Sequence, residues 1–206
     1  MIQSDNGSID QFWATPVYQG KFQGVNKLTL DLEAKILEKE MLFLNASSAK
    51  GSLFFNSFSS LRYEQNFMEW GDQCVLDFYD LISPSIIFYL QQTYPVVAEK
   101  FVVQAWANIH RFGDWHGTHS HFAGGDEVAS GVYWVRVPSA ISEDENAGGR
   151  LILFDPRGPF FPERKKIIIL PEAEKLIIFP AWLQHEVTPL KSDDIRISIA
   201  FDIKKT

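Results

Sequence analysis

Four of the five histidines fall between positions 110 and 121, in the run Ile109-His110-Arg111-Phe112-Gly113-Asp114-Trp115-His116-Gly117-Thr118-His119-Ser120-His121, and the fifth is His185. Residues two apart on an extended strand point to the same face, so His119 and His121 can offer two imidazoles to one ion. Neutral imidazole suits iron, zinc, copper or nickel. With Cys74 the only cysteine, thiolate metal sites and internal disulfides are both excluded.

A lone H-x-H pair is as readily a pair of solvated loop residues. The distinguishing feature here is Phe179-Pro180-Ala181-Trp182-Leu183-Gln184-His185, where an apolar run ends in a proline turn and a histidine opens the next strand. A third ligand arriving from a distant strand closes a facial site and leaves coordination positions open for substrate. The final segment adds a second constellation. Ile195, Ile197, Ile199, Phe201 and Ile203 alternate strictly, which sends Arg196, Ser198, Ala200 and Asp202 to the opposite face. An arginine fork with a serine hydroxyl beside it is suited to clamping a carboxylate.

The elements that must hold these residues differ between the two halves. From Asn26 to Leu44, Leu28, Leu32, Ile36, Leu37, Met41 and Leu44 recur at spacings of three and four, which predicts an amphipathic helix. A second helix is expected from Gly71 to Ile82, and Ser83-Pro84 reads as the cap and first turn of a third that ends before Pro95. Ala14 to Tyr18 reads as a short strand or extended arm, and 46–66 as a loop carrying Phe54, Phe55 and Phe58. From Phe101 onward, short strands are expected at 101–109, 130–137, 150–154, 166–170, 175–179, 184–188 and 195–203. That spacing belongs to a sandwich or barrel. The expectation is a single domain over 1–206, with helical support in 1–100 packed on a β-barrel core in 101–206.

Composition narrows the partners. A formal charge of -7 disfavours nucleic acid and anionic lipid. No run is long and apolar enough for a membrane span, and MIQSDNGSIDQFW lacks the regions of a secretory signal, so a cytoplasmic protein is expected. The 17 Phe and six Trp suit a cavity with aromatic walls. Exposed edge strands are compatible with a homodimer.

The blocks HTHSH, SGVYW, GGRLILFDPRG, IIFPAWLQHEV and RISIAFD, in that order from Trp106 to Ile203, resemble the 2-oxoglutarate and Fe(II)-dependent oxygenases, a family distantly similar to prolyl 4-hydroxylases. The resemblance implies a double-stranded β-helix, an Fe(II) cofactor, 2-oxoglutarate as cosubstrate, and dioxygen and an unidentified organic compound as the other reactants. Carried over by motif, the metal triad falls on His119, His121 and His185, and the pair that holds the distal carboxylate of 2-oxoglutarate falls on Arg196 and Ser198. Asn108 and Tyr133 are the further expected cosubstrate neighbours; Tyr133 is preferred to Trp134, since only one of the two can face inward.

The departure is at His121, where the wider superfamily supplies an acid and this chain a third imidazole. Three neutral ligands leave the ion with its full double charge. Asp114, Asp126 and Glu127 are the nearby carboxylates that could substitute. Two other readings compete: a cupin-like metalloprotein that ignores 2-oxoglutarate and uses Glu127 as a fourth ligand, and a binding protein on the same scaffold without turnover. Asp155-Pro156-Arg157-Gly158 reads as a turn tied by an Asp-Arg pair or as a substrate contact, and Trp182 as a pocket wall or core residue.

Overall fold

The structure, a computed structural model, describes residues 14–46, 55–63, 66–121, 125–157 and 166–206. Phe54, Gly124 and Gly158 lie outside the described residues. Two helices, α1 (Asn26–Ala46) and α2 (Gln73–Thr93), and a one-turn helix α3 (Ala140–Glu143) accompany eleven strands. The strands are β1 (Tyr18–Lys21), β2 (Phe55–Asn56), β3 (Phe58–Ser59), β4 (Phe101–His110), β5 (Trp115–His119), β6 (Glu127–Arg136), β7 (Leu151–Phe154), β8 (Lys166–Ile169), β9 (Lys175–Pro180), β10 (His185–Val187) and β11 (Arg196–Lys205).

They form two sheets, a larger one in the order β1-β9-β6-β11-β4-β3 and a smaller one in the order β2-β5-β10-β7-β8. The pairs are antiparallel throughout, and the two sheets face one another as a double-stranded β-helix. The central strand β11 runs its full ten residues against β4, from Arg196 opposite His110 to Lys205 opposite Phe101.

Alternation divides this strand between two cores. Ile197, Ile199, Phe201 and Ile203 are fully buried on the outer face, where α1 and α2 cover the sheet with Leu32, Ile36, Phe78, Ile82 and Ile86. The inner face meets the smaller sheet over Val132, Trp134, Leu151, Leu153, Ile177, Phe179, Leu183 and Val187. Helices spread over one face of a sheet make that face apolar and leave the other free to build a site.

Two details of the helices differ from expectation. In α1 the buried stripe is Thr29, Leu32, Ile36 and Glu40, while Met41 and Leu44 are more than half exposed. The last turns have rotated a carboxylate inward because Glu40 receives both guanidinium nitrogens of Arg111, at 2.7 and 2.9 Å. That pair ties α1 to the turn between β4 and β5, inside the histidine run. The second helix is continuous through Pro84 and does not restart there. Proline has no N–H for the carbonyl of Asp80, and the Ser83 hydroxyl donates to that oxygen instead, at 3.4 Å.

The large sheet also depends on close backbone approach at Gly131, which faces Phe201 across the β6–β11 pair. A Cβ there would sit 2.3 Å from Phe201 Cζ and 2.8 Å from the carbonyl oxygen of Ile177. Gly131→Ala should therefore destabilise the fold by about 1–3 kcal/mol, the usual cost of overpacking. A lower urea midpoint with an unchanged slope would show it.

Candidate metal centre

His119 ends β5 and His185 opens β10, and the two face each other across that strand pair. His121 lies two residues further on, held by its backbone N–H donating to the carbonyl of Ala181 at 2.9 Å. The three rings converge, with centroids 4.3 to 5.1 Å apart. One ring nitrogen from each lies within 4.8 Å of the others, the arrangement of a three-histidine metal site. An ion bonded at about 2.1 Å to each would draw them slightly inward.

The hydrogen bonds behind the rings decide which nitrogen is offered. His119 Nδ1 lies 2.6 Å from the carbonyl of Gly117, and His185 Nδ1 lies 2.9 Å from that of Leu183. A carbonyl only accepts, so both Nδ1 atoms carry the hydrogen and both Nε2 lone pairs point into the barrel. His121 Nδ1 is 2.6 Å from Asp202 Oδ1, with the same consequence. Burial and neighbouring imidazoles push the pKa of His185 well below the ordinary histidine value, and burial is likewise the main cause of the lowering at His119. Both rings stay neutral, as metal ligation requires.

Further down the barrel the alternation of β11 meets that of β4. Arg196 lies opposite His110, Ser198 opposite Asn108 and Ala200 opposite Trp106. These residues line a narrow cavity of about 60 Å³ that reaches the three histidines. Arg196 is 1% exposed, and among the described residues no carboxylate pairs with it. Its Nη1 makes only long contacts, 3.3 Å to Ser198 Oγ and 3.4 Å to His110 Nδ1. Burial lowers its pKa to about 9. Arg196 Nε, His110 Nε2 and Asn108 Oδ1 are all buried without a hydrogen-bond partner.

A desolvated cation among unsatisfied polar atoms is costly unless an anion joins it. The set fits the distal carboxylate of a short dicarboxylate such as 2-oxoglutarate. His110 accepts at Nδ1 from Arg196 and so presents Nε2–H as a donor, and the Asn108 amide can turn its NH₂ toward an anion. A second, wider space of about 450 Å³ lies on the other side of His119 and His121. Leu61, Gln104, Trp106, Glu127 and Lys204 contribute to its walls.

The other carboxylates near the histidines stand apart from the centre. Glu127 is 3.1 Å from Lys204 Nζ, Asp126 is 3.9 Å from Lys205 Nζ, and Asp114 accepts from the Arg111 backbone N–H. A fourth ligand from Glu127, as the cupin-like reading requires, is not part of the three-histidine cluster.

Tyr133 is a correction. It lies on the outer face of β6, in the helical core, where it packs against Phe22 and Phe78 and its hydroxyl contacts Thr29 Oγ1 at 3.2 Å. Trp134, opposite Ser198, is the inward residue and stands 5.8 Å from the Arg196 guanidinium. Trp182 is 40% exposed, and Arg157 pairs with Asp155 in its turn. Two site residues were missed in the sequence, His110 and Asp202. Alternation along β4 and β11 puts both on the inner face, which is the signal that could have found them.

Two outcomes follow from these placements. Tyr133→Phe should leave binding of Fe(II) and 2-oxoglutarate unchanged and cost only about 1 kcal/mol in urea unfolding, the value of one hydrogen bond. His110 has its pKa held well below 6.5 by burial first, then by His116 and Arg196. The unfolded chain therefore takes up its proton first as the pH falls. Stability that is complete above about pH 6.5 is lost progressively below it. Urea unfolding between pH 7.5 and 5 should show this decline, and His110→Asn should make it shallower.

Residues 104–202 match the family model described as "Putative 2OG-Fe(II) oxygenase". Solved structures share the fold. A Pseudomonas putida prolyl-4-hydroxylase is 16% identical, with 93% of this chain and 94% of that one covered and a TM-score of 0.68. A viral collagen prolyl hydroxylase from Paramecium Bursaria Chlorella virus-1, in complex with 2-oxoglutarate, is 18% identical over 92% and 97% of the two chains, at 0.58. A Trichoplax adhaerens prolyl hydroxylase is 13% identical over 92% and 83%, at 0.63. A comparison with curated proteins found no match. The stretch that carries all three histidines together with Arg196 and Ser198 is thus the stretch the family model matches, and over that stretch the chain is similar to the 2-oxoglutarate- and Fe(II)-dependent oxygenases.

Proposed function

We propose that the chain hydroxylates a C–H bond of a small molecule, an amino acid or a protein side chain, with His119, His121 and His185 as the Fe(II) ligands. Arg196 and Ser198, joined by His110 and Asn108, receive the distal carboxylate of 2-oxoglutarate. The observation that carries this reading is the buried, carboxylate-free Arg196 at the end of a cavity whose other end is the three-histidine cluster. When bound, Fe(II) and 2-oxoglutarate supply the oxidising chemistry: dioxygen is consumed, 2-oxoglutarate becomes succinate and carbon dioxide, and one oxygen atom enters the substrate.

The chain's own groups orient and enclose. Arg196 fixes one end of the cosubstrate by charge and by its planar fork, which leaves the keto acid end toward the histidines. The Nδ1 hydrogen bonds of the three histidines hold each ring in the ligating tautomer. Trp106, tilted 31° to His121 at 5.5 Å, and Phe179, 4.8 Å from His185, exclude water from the centre. The wider space lined by Gln104, Trp106 and Leu61 takes the organic substrate.

The same reading takes 1–206 as one oxygenase unit, because α1 and α2 share a core with the large sheet. It takes the protein as cytoplasmic, supported by the single cysteine and by the absence of a membrane-crossing helix among the described residues. A homodimer through β8, where Ile167 and Ile168 are at least half exposed, is compatible with it.

Anaerobic titration of metal-free protein with Fe(II) and then 2-oxoglutarate should produce the visible charge-transfer band of the chelate. Arg196→Ala should weaken 2-oxoglutarate binding about 10- to 100-fold, the loss expected for a charged, two-pronged contact. Fe(II) binding with no band and no measurable affinity for 2-oxoglutarate would overturn the cosubstrate assignment.

A further inference from the structure

Where the wider superfamily has an acid in the metal triad this chain has His121, so the ligand set carries no negative charge of its own. The inner face of β11 places a carboxylate directly behind this ring. Asp202 is 8% exposed, and its Oδ1 accepts from His121 Nδ1 at 2.6 Å and from Ser130 Oγ at 2.7 Å. Ser130 faces Asp202 across the β6–β11 pair, so the register of the sheet brings the serine hydroxyl to the same carboxylate oxygen that the histidine uses. Lys204, two residues along the same strand, pairs with Glu127, which leaves Asp202 to the histidine and the serine. Among the described residues neither of the other two histidines has such a partner: His119 and His185 donate to neutral carbonyls.

We infer that Asp202 acts through His121 as the acid this triad lacks. It is a positioning residue that supplies a negative charge one imidazole removed from the metal. The inference rests on His119, His121 and His185 being the metal ligands. A carboxylate on Nδ1–H draws that proton toward itself and enriches Nε2 in electron density, so His121 becomes a stronger and partly anionic donor. At the same time it fixes the ring's tautomer and rotation. The total charge of ligands and partner then equals that of the usual two-histidine, one-acid set, with the negative charge moved outward.

Asp202→Asn separates charge from orientation, because the amide keeps an oxygen to accept from Nδ1–H. The probe is Fe(II) alone, with its dissociation constant measured by anaerobic competition against a chelator and with urea unfolding of the metal-free protein as a control. Asp202→Asn should bind Fe(II) about 10- to 100-fold more weakly than the parent, the range for partners of ligating histidines. In a His121→Asp background the charge sits on the metal itself, and there Asp202→Asn should cost nothing or strengthen binding by removing a like charge.

Fe(II) affinity within threefold of the parent in Asp202→Asn would overturn the inference while leaving the three-histidine reading standing. Equal weakening in both backgrounds would also overturn it, because a merely structural Asp202 would act without regard to residue 121. A parent protein that binds no Fe(II) would overturn the metal site itself and this inference with it.

Discussion

A strand buried on both faces has nowhere to send a polar side chain except into the protein, and β11 is such a strand. Its outer residues Ile197, Ile199, Phe201 and Ile203 are sealed beneath α1 and α2, and its inner residues Arg196, Ser198 and Asp202 are no more than 8% exposed. Burying a guanidinium and a carboxylate costs several kcal/mol each unless they are paired or hydrogen-bonded. The sequence bears this cost at two positions of one strand, Arg196 and Asp202, with the buried hydroxyl of Ser198 between them. The helical layer makes that arrangement stable, because it buries the apolar half of the alternation and lets the barrel interior be polar.

The two charges on that face differ in how they are satisfied, and the difference gives the cavity a direction. Asp202 accepts two hydrogen bonds, whereas Arg196 retains unpartnered donors. Six residues of strand put their backbones about 20 Å apart. Under the proposed function, a dianion entering between them would be attracted to Arg196 and kept from Asp202, with one carboxylate at the far end and its other end free near the histidines. Orientation by fixed charges requires no movement at the moment of binding, which is why it suits a site that must also keep water out.

Much of this was legible in the sequence where a periodicity spans a whole element. The alternation of 195–203 predicted both faces of β11 correctly, and the histidine spacing predicted which rings meet. Legibility failed where two answers share one pattern. Alternation puts either Tyr133 or Trp134 inside, and the choice depends on the register of β6 against β11, which shifts at a bulge between Ile197 and Ser198. Pro84 reads as a helix start because proline is at home there, yet the same residue is tolerated inside a helix when a serine hydroxyl covers the orphaned carbonyl. The C-terminal half of α1 showed apolar spacing at Met41 and Leu44, but a long-range ion pair from Arg111 outweighed it. Tertiary partners of this kind leave no local trace.

Asp202 shows a subtler failure. Alternation gives its face but not its role, because the carboxylates adjacent to the histidines in the chain are Asp114, Asp126 and Glu127. A sheet brings together residues remote in sequence, and His121 and Asp202 are 81 positions apart. Once a metal site is short of one negative charge, the physical constraint is on the local field at the ion and not on which atom is bonded to it. Any buried carboxylate that hydrogen-bonds a ligand can meet that constraint, and the inner face of the central strand is where this fold has one.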